Sequence, residues 1–191
     1  MNPQPPPDDQ AVVAAIHHDG LTDIDAALAA FAFDQRRAGR RVLGLLMKPR
    51  GHDAACHASM VLTDIDSGDE YPVSQALGAG SNACSADPQG FARAGQVLRD
   101  ALARHPDLVI CNRFGVLEAE GGGFAAELLE LLAQGVPVLI VVSSRHLAAW
   151  RHFIGSATML VSDPAAWSSW FDAVLAGRDG RAAGVPDAAP A

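Results

Sequence analysis

The 191 residues include 49% hydrophobic side chains and carry a formal charge of −8, with thirteen arginines and one lysine, Lys48. This suits one α/β domain, large enough to bury roughly 70% of the surface its unfolded chain exposes, and excludes a nucleic-acid or anionic-membrane surface, since either needs a basic stripe to displace counterions. Three cysteines in unrelated contexts describe no disulfide framework, and no apolar run approaches the roughly 20 residues of a membrane span. The opening MNPQPPPDDQ lacks the charged and apolar regions of a signal peptide, so a reduced, cytoplasmic chain is expected.

Residues 1–10 are Pro-rich and polar and read as a disordered tail, residues 11–176 as a single domain, and residues 177–191 as a second tail. Residues 11–16 form a short apolar strand followed by His17-His18-Asp19-Gly20. Thr22 then opens a helix, with Asp25 completing an approximate capping box and Ile24, Ala27, Leu28 and Phe31 at helical spacing. Gly39 ends it. Residues 42–47 are a second buried strand, stopping at Lys48-Pro49. Residues 60–66 and 70–75 flank the turn dipeptide Ser67-Gly68 and predict an antiparallel hairpin inserted between strand–helix units.

Residues 78–87, GAGSNACSAD, are a glycine-rich loop, after which Asp87 and Pro88 supply the N-cap and first-turn proline of a helix reaching about Arg104. The apolar run 108–111 is a buried strand that ends in Asn112-Arg113 and a loop bearing Glu118 and Glu120. Residues 124–133 form a helix with Leu128, Leu129 and Leu132 turned inward. Residues 138–142, the most hydrophobic strand, end in Ser143-Ser144-Arg145. A helix over 146–153, an edge strand over 157–161 and a helix over 164–175 capped by Asp163 complete the domain. Strands alternating with helices imply a mostly parallel sheet with helices on both faces.

Ligands of such sheets bind where the carboxyl ends of adjacent strands share a crevice. Four ends qualify: His17-His18-Asp19-Gly20, Met47-Lys48, Asn112-Arg113 and Ser143-Ser144-Arg145. The first leads into a helix N-terminus, where free N–H groups and the macrodipole favour an anion, and Lys48, Arg113 and Arg145 add charge-assisted donors. A phosphate-binding P-loop would place GxxxxGK[ST] after the first strand. Here the segment reads HHDGLTDID, with one glycine, no lysine and Thr22 as its hydroxyl. The acidic pair that would hold Mg²⁺ and orient water is replaced by Asn112-Arg113. Both departures argue against phosphoryl transfer.

The runs ICNRFGVLEAEGGGF, GAGSNACSADP, VSQALG and PVLIVVSSRHLAAWRHFIG resemble the bacterial family known as domain of unknown function 2478 over about residues 12–170. That family is similar to P-loop nucleoside triphosphatases of the thermophile type, whose D-E-x-G-x-x-E pattern falls on residues 112–118. Asn112 and Arg113 stand in place of its first two acids, while Gly115 and Glu118 match. The resemblance implies a three-layer P-loop-NTPase-like fold and, because relatives are often encoded among molybdenum genes, an oxyanion-related role.

The expectation is therefore a small-anion binding protein, with molybdate or tungstate as ligand, and the alternative is a nucleotide-binding NTPase- or kinase-like enzyme. Neutral donors come from Thr22, Ser143, Ser144 and the loop containing Gly80, Ser81, Asn82 and Cys84; Arg113 or Arg145 supplies charge. Glu118, as the matching acid, would orient water or bind Mg²⁺ if hydrolysis persisted. Cys56-His57, Cys84, Cys111 and His17-His18 lack zinc spacing, Cys111 reads as a core residue, and Cys84 sits near a helix start that would stabilise a thiolate. Trp150, Phe153, Trp167 and Trp170 suit core packing or a subunit interface, and a homodimer is expected. The remaining alternative is a regulatory adaptor whose partner surface lies around the inserted hairpin.

Overall fold

The structure is a computed structural model that describes residues 12–19, 23–48, 60–76, 84–155 and 157–183. In chain order its elements are β1 (Val13–His18), α1 (Ile24–Arg37), β2 (Val42–Met47), β3 (Val61–Asp64), β4 (Glu70–Pro72), β5 (Ser74–Ala76), β6 (Cys84–Ala86), α2 (Pro88–Ala103), β7 (Leu108–Phe114), α3 (Val116–Ala119), α4 (Ala125–Ala133), β8 (Val138–Ser143), a 3-10 turn (Ser144–His146), α5 (Leu147–Ile154), β9 (Thr158–Leu160) and α6 (Pro164–Ala183). Seven strands form one sheet in the order β4-β3-β2-β7-β8-β1-β9. The five from β2 to β9 run parallel, and the hairpin β3–β4 extends the β2 edge in antiparallel sense.

Strand alternation sorts the core into two layers. Val13, Ala15, Val138, Ile140 and Val142 face one side, packed with Ala94 and Leu98 of α2, Leu128 of α4 and Trp150 of α5. Ala14, Ile16, Leu139 and Val141 face the other, with Leu28 and Phe31 of α1 and Trp167 and Phe171 of α6. Each valine, leucine, isoleucine or phenylalanine among them contributes about 1.5–3 kcal/mol by leaving water. The tryptophans belong to these layers: Trp150 meets Phe114 edge-on at 5.1 Å, and Trp167 meets Phe31 at 5.8 Å and 88°. Gly44 holds φ +114°, and a Cβ there would lie 2.2 Å from the Ile110 carbonyl oxygen, so only glycine lets β2 approach β7 this closely. No helix among the described residues is long and apolar enough to cross a membrane.

Several expectations are corrected. Both His17 and His18 belong to β1, because its pairing with β8 continues to His18 opposite Ser143. Asp23 caps α1 by accepting from the Ala26 N–H at 3.2 Å, and this leaves Asp25 for another role. In α4 Leu131 is buried and Leu129 is 51% exposed, because the buried stripe follows Ala125, Leu128 and Leu131 at three-residue spacing. Val73 is buried between β4 and β5, and β5 turns away from the hairpin to pair with β6. Helix α6 continues past Leu175 to Ala183. Its Gly177 and Gly180 each cost about 1 kcal/mol in a helix interior yet do not end it, and Arg178 reaches the Pro106 carbonyl at 3.5 Å.

Candidate functional site

Because β2, β7, β8 and β1 are successive parallel neighbours, their carboxyl ends meet along one edge of the sheet. This edge gathers His17, His18, Lys48, Asn112, Arg113, Ser143, Ser144 and Arg145. Gly20, Thr22, Gly80, Ser81 and Asn82 lie outside the described residues, as do Cys56 and His57; Cys84 opens β6, but its side chain also lies outside them.

At the β1 and β8 ends the side chains are histidines and hydroxyls. His17 is exposed, and its Nε2 stands 2.9 Å from Ser144 Oγ. Ser143 Oγ lies 3.2 Å from His146 Nδ1. His18 is buried, directly across the ladder from Ser143, and its Nδ1 has no hydrogen-bond partner among the described residues. The 3-10 turn after β8 holds Ser144, Arg145 and His146 beside these groups, with Ser144 and Arg145 exposed. On the far side of β1, Ser162 Oγ donates to the His17 carbonyl at 2.8 Å and fastens the chain after β9 to the same edge.

At the β7 end the polar groups bind one another. Asn112 Nδ2 donates to Asp25 Oδ1 at 3.0 Å, and Arg113 Nη2 donates to both Asp25 oxygens at 2.8 and 2.7 Å. A register shift between Cys111 and Phe114 lets these two consecutive residues reach one carboxylate on α1. The guanidinium expected to neutralise a ligand therefore already faces a carboxylate. Asp25 is the residue that sequence reasoning placed elsewhere. The signal available was the Asn112-Arg113 pair itself, since such a pair ending a buried strand requires an acceptor.

Glu118 is buried, and both its oxygens are held by the backbone. Oε2 accepts from the Gly115 N–H at 2.9 Å and Oε1 from the Phe124 N–H at 3.1 Å. Gly123, at φ +54°, leaves room for this carboxylate: a Cβ there would lie 2.1 Å from Oε1. Glu118 thus ties the glycine-rich loop into a bracket around α3. Lys48 pairs with Glu70 at 2.7 Å across the hairpin, with both side chains about half exposed. Burial, reinforced by the nearby Glu118 and Glu127 carboxylates, pushes the Cys111 thiol well above its ordinary range, so it is no nucleophile. Among the described residues no group of three or more His, Cys, Asp or Glu side chains is placed to hold a metal ion.

Asn112, Arg113, Glu118, Ser143 and His146 also line a cavity of about 300 Å³ on the α2 side of the edge. His146, assigned from sequence to a helix start, belongs to both the polar edge and this cavity. Its position directly after Ser143-Ser144-Arg145 was the clue.

The chain superposes on the solution structure of a human cancer-related nucleoside triphosphatase with a TM-score of 0.58 at 12% identity, covering 93% of this chain and 100% of that one. A likeness at that identity establishes a shared fold, the mostly parallel α/β architecture of nucleoside triphosphatases. In sequence the chain is 35% identical over 160 residues to the "Molybdenum import ATP-binding protein ModC 2" of Bradyrhizobium diazoefficiens, a match that covers 83% of this chain but 18% of that protein. The chain thus spans less than a fifth of that relative's length. Residues 13–170 match the family model described as protein of unknown function (DUF2478), and the chain belongs to that family.

Proposed function

We propose that this protein binds a small tetrahedral oxyanion of the molybdate or tungstate type at the adjoining ends of β1 and β8. The observation that carries the reading is the cluster of donors gathered there: His17 against Ser144, Ser143 against His146, His18 with an unpartnered ring nitrogen, and Arg145 beside them. Hydroxyl and imidazole groups swing to donate to an oxyanion, and an exposed arginine adds a charge-assisted bond. The molybdenum import named for a relative 35% identical over 160 residues supports the choice of anion. Hydrolysis is not part of the reading. Where the acids of a hydrolase would hold Mg²⁺ stand Asn112 and Arg113, both committed to Asp25.

Isothermal titration with molybdate, tungstate, sulfate and ATP tests this. Molybdate and tungstate should bind with Kd of about 1 mM or tighter, and at 100 Kd they should stabilise the fold by about 2.7 kcal/mol. Heat from none of the oxyanions would overturn the reading. A second reading, nucleotide binding without turnover, is favoured by the fold and by the ATP binding named for the same relative. Heat from ATP alone, with no oxyanion response, would establish it instead.

A further inference from the structure

The cavity of about 300 Å³ shares one wall with the cluster of donors at the β8 end. Ser143 and His146, whose Oγ and Nδ1 lie 3.2 Å apart, line the cavity and also belong to that cluster. His17 stands one strand further along. Alternation in β1 sets it on the face of Val13 and Ala15, the α2 face on which the cavity lies, and its Nε2 meets Ser144 Oγ at 2.9 Å. Away from this end the lining is mostly apolar and partly aromatic: Met47, Phe91, Phe114, Val116 and Phe124 contribute to it, with Phe91 and Phe124 5.0 Å apart at a 49° tilt. Asn112, Arg113 and Glu118 interrupt that wall, and each is engaged elsewhere. Asn112 and Arg113 turn to Asp25, and the Glu118 carboxylate accepts from the Gly115 and Phe124 N–H groups.

We propose that the site takes its oxyanion as the head of an aryl ester, of which an aryl phosphate monoester is the simplest case. Ser143, His146, Ser144 and His17 donate to the tetrahedral head, and the ring lies in the cavity against Phe91 and Phe124. This deepens the oxyanion reading and rests on it. A cavity with donors at one end and apolar, aromatic walls at the other matches a ligand divided in the same way. The head meets the same donors as a free oxyanion, and the ring adds the burial of apolar surface that a bare anion lacks. Glu118 narrows the class further. Its carboxylate lines the cavity, so a ligand whose charge is confined to the head fits, whereas a chain of phosphates running along the cavity would meet a like charge.

The test is calorimetric titration of the full chain with phenyl phosphate, inorganic phosphate, phenol and molybdate. Phenyl phosphate should bind about tenfold tighter than either inorganic phosphate or phenol, and saturating molybdate should displace it. Val116 lines the cavity yet is 54% exposed. Val116→Trp should fill the cavity, erase the advantage of phenyl phosphate over inorganic phosphate and leave molybdate affinity unchanged. Phenyl phosphate that binds no tighter than inorganic phosphate, that molybdate fails to displace, or whose advantage survives Val116→Trp overturns the proposal. Where molybdate still binds, such a failure removes the aryl body alone and the oxyanion reading stands. Silence from molybdate, phosphate and phenyl phosphate alike removes both.

Discussion

Two adjoining stretches of the same sheet edge use polar residues in opposite ways. At the β7 end, Asn112 and Arg113 grip Asp25, and Glu118 grips two backbone amides. At the β1 and β8 ends, His17, Ser144, Ser143 and His146 pair loosely with one another, on residues that are partly or fully exposed. The first arrangement leaves no charge for a ligand. The second leaves hydroxyls and imidazoles that can turn toward one. Position at a strand end thus makes a residue a candidate, and its local partners decide whether it holds the fold or receives a ligand.

The contrast breaks first at Glu118. Replacing it with alanine strips acceptors from Gly115 and Phe124, which should cost about 2–4 kcal/mol in denaturant unfolding; a loss below about 0.5 kcal/mol would mean the bracket is not structural. Gly123→Ala should act through the same bracket, since its Cβ would displace Oε1 and its φ is +54°. Arg113→Ala comes next. It leaves the Asp25 carboxylate, 16% exposed, with Asn112 as its remaining side-chain donor among the described residues, and should cost about 1–3 kcal/mol.

The β8 end should respond the other way. Ser144→Ala combined with Arg145→Ala should change stability by less than about 0.5 kcal/mol, yet weaken molybdate binding about tenfold in calorimetry. A stability loss without an affinity loss would invert the comparison.

The smallest effect is expected far from this edge, at Asp66. Hydrogen bonds from Arg104 and Arg36 hold its carboxyl below the usual value of 3.8 despite partial burial. A depressed folded pKa stabilises the fold above the unfolded value, and the gain disappears as pH falls through the folded one. Asp66→Asn should therefore lose a few tenths of a kcal/mol at neutral pH, a loss that fades as pH falls through the lowered folded pKa of Asp66, as read from unfolding curves across the acid range.

The sequence made the scaffold legible wherever local chemistry decides structure. The apolar runs of β2, β7 and β8 end at polar residues, and Asp87-Pro88 starts α2 with the Asp87 side chain accepting from the Gln89 N–H. The family resemblance also held. The bonds that separate the two strand ends were less legible because they are long-range. Asp25 meets Arg113 across 88 positions, and its first-turn location equally fits a local cap. Glu118 sits in a glycine-rich stretch of the kind that usually faces water, and only the approach of Gly115 and Phe124 buries it. The three-residue strands β5 and β6 carry too little pattern to be read before they pair.

The most direct test of the central claim is a residue-resolved NMR titration with molybdate. Amide and imidazole shifts should move at His17, His18 and Ser143–His146 and stay still at Asn112, Arg113 and Glu118. Shifts centred on Asn112–Glu118 with the β1 and β8 ends silent would contradict the account.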